Sequence, residues 1–252
     1  MHIDVALLPG QTTDASRALC IVVDVLRASS SIVTLLEREA ARVVAASTVE
    51  DARALKERLG DHILCGERDG LPPEGFDYGN SPAEFARVDV AGRGVILATS
   101  NGTRIMAALA DAPVVLAGCL LNRTACARIA LALARERGLE INVICSAAYG
   151  GSTFVLEDAL GAGAIVDAAM GADPALECGD SARFARDAFV TASRELLGAV
   201  ASAHHAKELA EAGFGEDVAY CARLDVSAVV PVLERGEDGW LLLRPAARLP
   251  QT

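Results

Sequence analysis

Aromatic residues are scarce in this chain: they make up 4% of its 252 positions, with a single Trp. A core of large stacked rings is thereby excluded. Ala, Val, Leu and Ile must fill the interior, a composition suited to helices packed on parallel strands. Basic residues are also in deficit, with 23 Lys and Arg against 34 Asp and Glu, for a net charge of −11. A protein this acidic has no global attraction for nucleic acid or an anionic membrane, so neither is expected as a partner. No apolar run is long enough for a transmembrane helix. The longest uncharged stretch, 141–156, is interrupted by Asn142, Tyr149, Gly150, Gly151 and Ser152. The N-terminus lacks a basic flank followed by an apolar run and a cleavage site. Cysteines are present but unpatterned: Cys20, Cys65, Cys119, Cys126, Cys145, Cys178 and Cys221 are odd in number and include no C-x-x-C. A reduced, cytoplasmic protein with buried thiols is expected, rather than a disulfide framework or a zinc site. There is no internal repeat and no low-complexity linker.

What is present is apolar material in quantity, 52% of the chain, in alternating periods. Apolar runs predict strands at 3–8, 18–25, 41–46, 62–65, 94–99, 113–117 and 140–146. Between them, helices are predicted from Ser29, Ser30 or Ser31 onward, then at 48–59, 103–110, 122–137 and 154–170. Thr48, with Asp51 three residues on, opens the second of these in a capping-box-like arrangement, and Gly60 closes it. The remainder is more helical, at 181–201 and 204–212, and ends on two strands, 228–233 and 240–244, around a turn at 234–239. The alternation predicts an α/β fold with a mostly parallel sheet and helices on both faces. One unit over 1–252 is expected, with two unequal lobes as the alternative and a candidate seam at 171–179.

In a parallel α/β sheet, ligands gather at the carboxyl ends of strands, so the polar residues after each apolar run are the informative ones. Asp24 and Arg27 follow the run at 18–25. A buried Asp there is costly unless paired or metal-bound. The two either bind Mg²⁺ and a phosphate oxygen or form a structural pair that caps the next helix. Ser100, Asn101, Gly102, Thr103 and Arg104 form a strand-to-helix turn able to cradle an anion, or an ordinary capped turn. The loop 66–82 carries Glu67, Arg68, Asp77, Asn80 and Ser81, and its length points to function. Glu157 and Asp158 open a helix after a glycine loop. Favourable dipole placement is the plain reading of this pair; a metal ligand or general base is the sharp one. At most one of two adjacent helical carboxylates is expected to face the core. His204 and His205 are expected at the surface, and Cys119 and Cys145 as buried small hydrophobes.

In order along the chain, these blocks resemble the 2-phosphosulfolactate phosphatase family. The resemblance rests on VDVLRASS at 23–30, GER at 66–68, GFDYGNSP at 75–82, TSNGT at 99–103, Asn122, and LED at 156–158 with Gly161 and Gly163. Ser202, Leu209, Asp217, Val218, Val230 and Pro231 also fit. The resemblance implies a Mg²⁺-dependent hydrolase that converts the phosphomonoester 2-phospho-3-sulfolactate to sulfolactate and phosphate, on an α/β fold with two unequal lobes. Family members in methane-producing archaea serve coenzyme M synthesis, and many bacterial relatives stand outside that route.

The expected site follows from these blocks. Asp24, Arg27 and Glu157 are taken as catalytic. Asp24 with Glu67, Asp77 or Asp158 would hold Mg²⁺. Arg68, Asn80, Ser81 and the 100–104 turn would bind substrate. The attacking group is either water, with a carboxylate as base, or Asp24 itself. A haloacid-dehalogenase-type phosphatase would need a second Asp two residues after Asp24, where this chain has Leu26. A non-catalytic anion-binding protein on the same scaffold is the other alternative. The high hydrophobic fraction is compatible with a homodimer surface.

Overall fold

A computed structural model describes residues 1–246 apart from positions 13 and 237. Of the expected unit 1–252, those two positions and 247–252 lie outside the described residues, as does part of the turn expected at 234–239. The strands are β1 (His2–Ala6), β2 (Ala18–Val23), β3 (Arg42–Ala46), β4 (His62–Gly66), β5 (Gly94–Ala98), β6 (Val114–Gly118), β7 (Glu140–Cys145), β8 (Glu177–Cys178), β9 (Pro231–Arg235) and β10 (Leu241–Pro245). The helices are α1 (Ala28–Glu37), α2 (Val49–Leu59), α3 (Pro82–Phe85), α4 (Gly102–Ala108), α5 (Arg123–Arg137), α6 (Leu156–Ala172), α7 (Asp180–Ala192), α8 (Leu196–Ser202), α9 (His204–Leu209) and α10 (Gly215–Cys221). None of the described helices is long and apolar enough to cross a membrane.

The strands form one mixed sheet in the order β4-β5-β3-β10-β9-β6-β2-β7-β1-β8. Two blocks are parallel throughout: β4-β5-β3, and β6-β2-β7-β1-β8. The C-terminal hairpin β9–β10 lies between them and pairs antiparallel with both neighbours. The segment 171–179 contains β8, which pairs with β1 at the sheet edge.

Three antiparallel junctions in succession reverse the direction of one block relative to the other. A flat sheet would therefore send their carboxyl ends to opposite edges. Yet Gly102, just after β5, stands against Asp24, just after β2. The sheet must turn between the blocks. Four strand steps of about 20–25° right-handed twist each bring β3 and β2 to roughly a right angle. The β6–β9 contact, a single residue pair, marks the corner.

Both faces are covered. On one, Ala18, Cys20 and Val22 of β2 and Val43 and Ala45 of β3 share a core with Ile32 and Leu35 of α1 and Met106 of α4. On the other, Leu19, Ile21 and Val23 pack with α5, α6 and α7, while Val44 and Ala46 pack against Ala52 of α2. All six residues of β2 are buried, as a strand covered on both faces requires. Thr48 caps α2 by accepting the Asp51 N–H at 3.0 Å.

Three expectations change. The helix expected at 181–201 divides into α7 and α8, because Glu195, at φ −147° and ψ 56°, leaves the helical region between them. A short helix, α10, follows Gly213, whose φ of 94° breaks the preceding helical run. Glu157 and Asp158 are both buried, because α6 lies inside the fold and is covered on all sides of its first turns.

The packing of α6 on α7 depends on glycine. A Cβ on Gly163 would stand 2.0 Å from the Ala185 carbonyl oxygen of α7, whereas one on Gly171 would meet nothing within 4 Å. Gly163→Ala is expected to destabilise the protein by about 1–3 kcal/mol through forced separation of α6 and α7. Gly171→Ala should be neutral or stabilising by up to about 1 kcal/mol. Urea unfolding midpoints of the two variants check this.

Candidate active site

β2 ends in the buried pair Asp24 and Arg27, three residues apart and 5% and 4% exposed. The Ala28 N–H, at the first turn of α1, donates to Asp24 Oδ1 at 3.0 Å. The Ser29 hydroxyl lies 3.1 Å from the Asp24 backbone nitrogen. Asp24 Oδ2 lies against Gly102, where a Cβ would approach it to 2.6 Å. Only glycine permits that approach, so the β5–α4 turn closes directly on the Asp24 carboxylate. Burial raises the Asp24 pKa above the ordinary carboxylate value and the Glu67 charge adds to this; the Ala28 N–H, the Ser146 hydroxyl and His205 oppose it.

Arg27 turns the other way. Its Nη1 donates to Asp217 Oδ2 at 2.9 Å, its Nη2 donates to the Gly70 carbonyl at 3.0 Å, and its guanidinium sits 4.4 Å from the centre of the Phe214 ring. The other Asp217 oxygen accepts from the Ser81 hydroxyl at 2.7 Å and the Ala83 N–H at 3.0 Å. One buried ion pair thus ties the end of β2 to the 70–83 segment and to α10.

The three-strand block contributes Glu67, after β4. Its Oε1 accepts the Ser100 N–H at 2.6 Å, and its Oε2 accepts the Ser100 hydroxyl at 3.1 Å and the Gly70 N–H at 2.9 Å. Thr103 and Thr99 bond one another within the turn. Asn101 Oδ1 accepts the Gly150 N–H at 3.0 Å, drawing in the loop 147–153 from after β7. The Tyr149 hydroxyl of that loop lies 3.4 Å from Glu208 on α9, so the loop straps across between the two blocks.

The first turn of α6 supplies the remaining acids. Asp158 Oδ1 accepts the Val25 N–H at 2.8 Å, and Oδ2 accepts the Ser146 hydroxyl and the Ala147 N–H, each at 3.1 Å. Burial, then the charges of Asp24 and Glu157, push the Asp158 pKa well above the carboxylate range. Glu157 is fully buried. Its Oε1 lies 3.0 Å from Nδ1 of His205 on α9, and its Oε2 has no hydrogen-bond partner among the described residues.

The expected site residues therefore divide. Asp24, Glu67, Ser100, Asn101, Gly102, Thr103, Glu157 and Asp158 converge through the contacts above. Asp158, expected as a metal ligand, spends both oxygens on protein donors and so braces the turns after β2 and β7. Arg27, expected as catalytic, is a buried strut on Asp217. Asn80 and Ser81, expected to bind substrate, are buried: Asn80 accepts the Ser31 hydroxyl at 2.6 Å, and Ser81 caps α3 and bonds Asp217. Asp77, expected as a metal ligand, is exposed and accepts the Leu64 N–H of the edge strand β4 at 2.8 Å. Arg68, expected to hold substrate, is exposed and reaches Glu50 at the start of α2 at 2.7 Å. Arg104 is exposed on α4. Cys119 and Cys145 are buried, and burial pushes the Cys119 thiol up to about 11.

Three contributors lay outside the expected site: His205, Asp217 and Ser146. Asp217 stood among the resemblance positions, while Ser146 and His205 had no local signal of a partner.

A contrast between pairs tests the assignment of struts. Asp217→Ala leaves the buried Arg27 charge unpaired and should cost about 3–5 kcal/mol. Arg68→Ala removes an exposed, solvent-screened pair and should leave the midpoint essentially unchanged. Denaturant midpoints of both variants decide it.

Comparison with known proteins agrees with this geometry. The family model described as 2-phosphosulpholactate phosphatase matches residues 6–236. Three relatives, each named "Probable 2-phosphosulfolactate phosphatase", are similar over nearly their whole length. The protein of Deinococcus radiodurans is 40% identical over 87% of this chain and 89% of its own. That of Thermus thermophilus is 36% identical over 96% and 98%, and that of Thermotoga petrophila 34% over 93% and 96%. With a family match across most of the chain, and the matched blocks meeting around Asp24, this chain belongs to the 2-phosphosulfolactate phosphatase family.

Proposed function

We propose that this chain is a Mg²⁺-dependent phosphatase that hydrolyses a small anionic phosphomonoester, 2-phospho-3-sulfolactate or a related phosphorylated hydroxy acid. The observation that carries the reading is the carboxylate of Asp24, held by the first turn of α1 and open to close approach by the Gly102 turn. That arrangement supports an anion lying between a carboxylate-bound cation and backbone N–H groups.

The donor set fits Mg²⁺. Burial and the Glu67 charge raise the proton affinity of Asp24, and burial with the charges of Asp24 and Glu157 raises that of Asp158, a repulsion that a cation relieves. Among the described residues no three His, Cys, Asp or Glu side chains group closely enough to hold a metal ion. That suits an ion which commonly takes one or two carboxylates and keeps its waters. Asp24 is the residue that would hold it, while Glu67 fixes the turn after β5 beside it through Ser100. When bound, Mg²⁺ supplies the positive charge that polarises a phosphoryl oxygen. The turn at Asn101 and Gly102 then orients the other phosphoryl oxygens, braced by Thr103 on Thr99 and by Ser100 on Glu67, and the strap 147–153 limits access of bulk water.

Two outcomes test the reading. Phosphate release from a panel of phosphorylated hydroxy acids should require Mg²⁺ and stop on addition of a chelator, and Asp24→Asn should lose turnover with an unchanged fold by circular dichroism. Release undiminished by the chelator would remove the metal, and normal turnover by Asp24→Asn would remove the assigned role. Mg²⁺ at about a hundred times its Kd should also stabilise the wild type by about 2.7 kcal/mol, read as a rise in Tm that Asp24→Asn lacks.

A further inference from the structure

Glu157 is an unusual carboxylate: it is fully buried, and among the described residues one of its oxygens has no donor and the other faces His205 Nδ1, at 3.0 Å. An isolated charge in that position is prohibitively costly, so its role is bound up with the imidazole. The two residues come from α6 and α9, 48 positions apart, and the ring stays partly open, with 29% of the His205 side chain exposed. Because Nδ1 is committed to Glu157, the nitrogen presented to a ligand is Nε2. The neighbouring His204 shares none of this: it is largely exposed and faces Glu208 at 3.3 Å.

We propose that His205, oriented through Nδ1 by Glu157, is the proton donor to the leaving oxygen of the phosphomonoester. The inference rests on the phosphatase reading above and assigns a part of the chemistry that the carboxylates and the Gly102 turn do not perform. As the ester P–O bond breaks, its electron pair stays on the substrate oxygen, which takes the proton from Nε2. The oxygen of water forms the new P–O bond and releases its proton to solvent. His205 is then reprotonated from solvent, so the products are the free alcohol and phosphate.

The surroundings support a protonated ring. The Glu157 carboxylate, 3.0 Å from Nδ1, favours the charged imidazolium, and a second carboxylate, Glu208, lies on the same helix. Glu208 is itself shared with His204 and with Tyr149 from the strap. A donor of this kind is present below its pKa and lost as pH rises through it.

Leaving groups of different basicity separate this role from a structural one. An alkyl phosphate expels an alkoxide and needs the proton, whereas nitrophenyl phosphate expels a phenolate whose charge the ring delocalises. His205→Asn keeps an N–H for Glu157 but has no titratable donor. With Mg²⁺ present, it should lose about 10²–10⁴-fold in kcat on an alkyl phosphate, and at least tenfold less than that on nitrophenyl phosphate. Wild-type protein, which needs no variant to fold, should show an alkaline fall in kcat on the alkyl ester that the nitrophenyl ester lacks. Equal losses on both esters, or identical alkaline limbs, overturn the inference and leave the phosphatase reading standing. Absence of phosphate release from either ester by wild type removes both.

Discussion

Charge buried at the end of β2 constrains everything around it. Asp24 and Arg27 are brought inside together by an apolar strand with no exposed face, and neither satisfies the other. Asp24 finds its donor in the first turn of α1, four residues on. Arg27 finds Asp217, 190 residues away. A buried guanidinium without its carboxylate would cost several kcal/mol, so α10 must dock where it does. Docking α10 also fixes Phe214 over Arg27 and seats Ser81 and the start of α3.

The same demand organises the two halves of the sheet. Opposed strand directions would separate the carboxyl ends of β2 and β5, and the twist accumulated across β10 and β9 brings them back together. Glycines then set the closest distances. Gly102 lets the β5–α4 turn reach Asp24, and Gly163 lets α6 lie close against α7. Asp158 joins the turns after β2 and β7, Glu67 joins those after β4 and β5, and Asn101 joins the two blocks through Gly150. The site is thus a set of loop ends held by carboxylates that accept backbone N–H groups, which leaves few carboxylate oxygens for a ligand. Among the described residues Glu157 Oε2 has no donor and Asp24 Oδ2 stands against Gly102, and the proposed chemistry is built around Asp24 and around the histidine that faces Glu157 Oε1.

Much of the fold was legible in the sequence because its signals are local. Thr48 with Asp51 placed the start of α2, Gly60 placed its end, and the run before Asp24 announced a strand buried along its whole length. The family blocks named eight of the residues that converge on the site. Arg68 and Asp77 sat in the same blocks and Arg104 directly after one, yet they lie on exposed surface or at the sheet edge, because loop membership does not fix the direction of a side chain. His205 went unrecognised beside His204, since a doublet on a short helix carries no sign of which ring meets a buried carboxylate.

The sequence by itself determined the α/β class, the order and type of most elements, the acidic character and the family, since periodicity, capping and motif order act over a few residues at a time. Only the tertiary structure decided that the last hairpin enters the middle of the sheet, that Arg27 is matched by Asp217, and that Glu157 is answered by His205. Those are choices of partner across tens to hundreds of residues. They are set by where buried charge can be compensated, and no short window of sequence contains both members of such a pair.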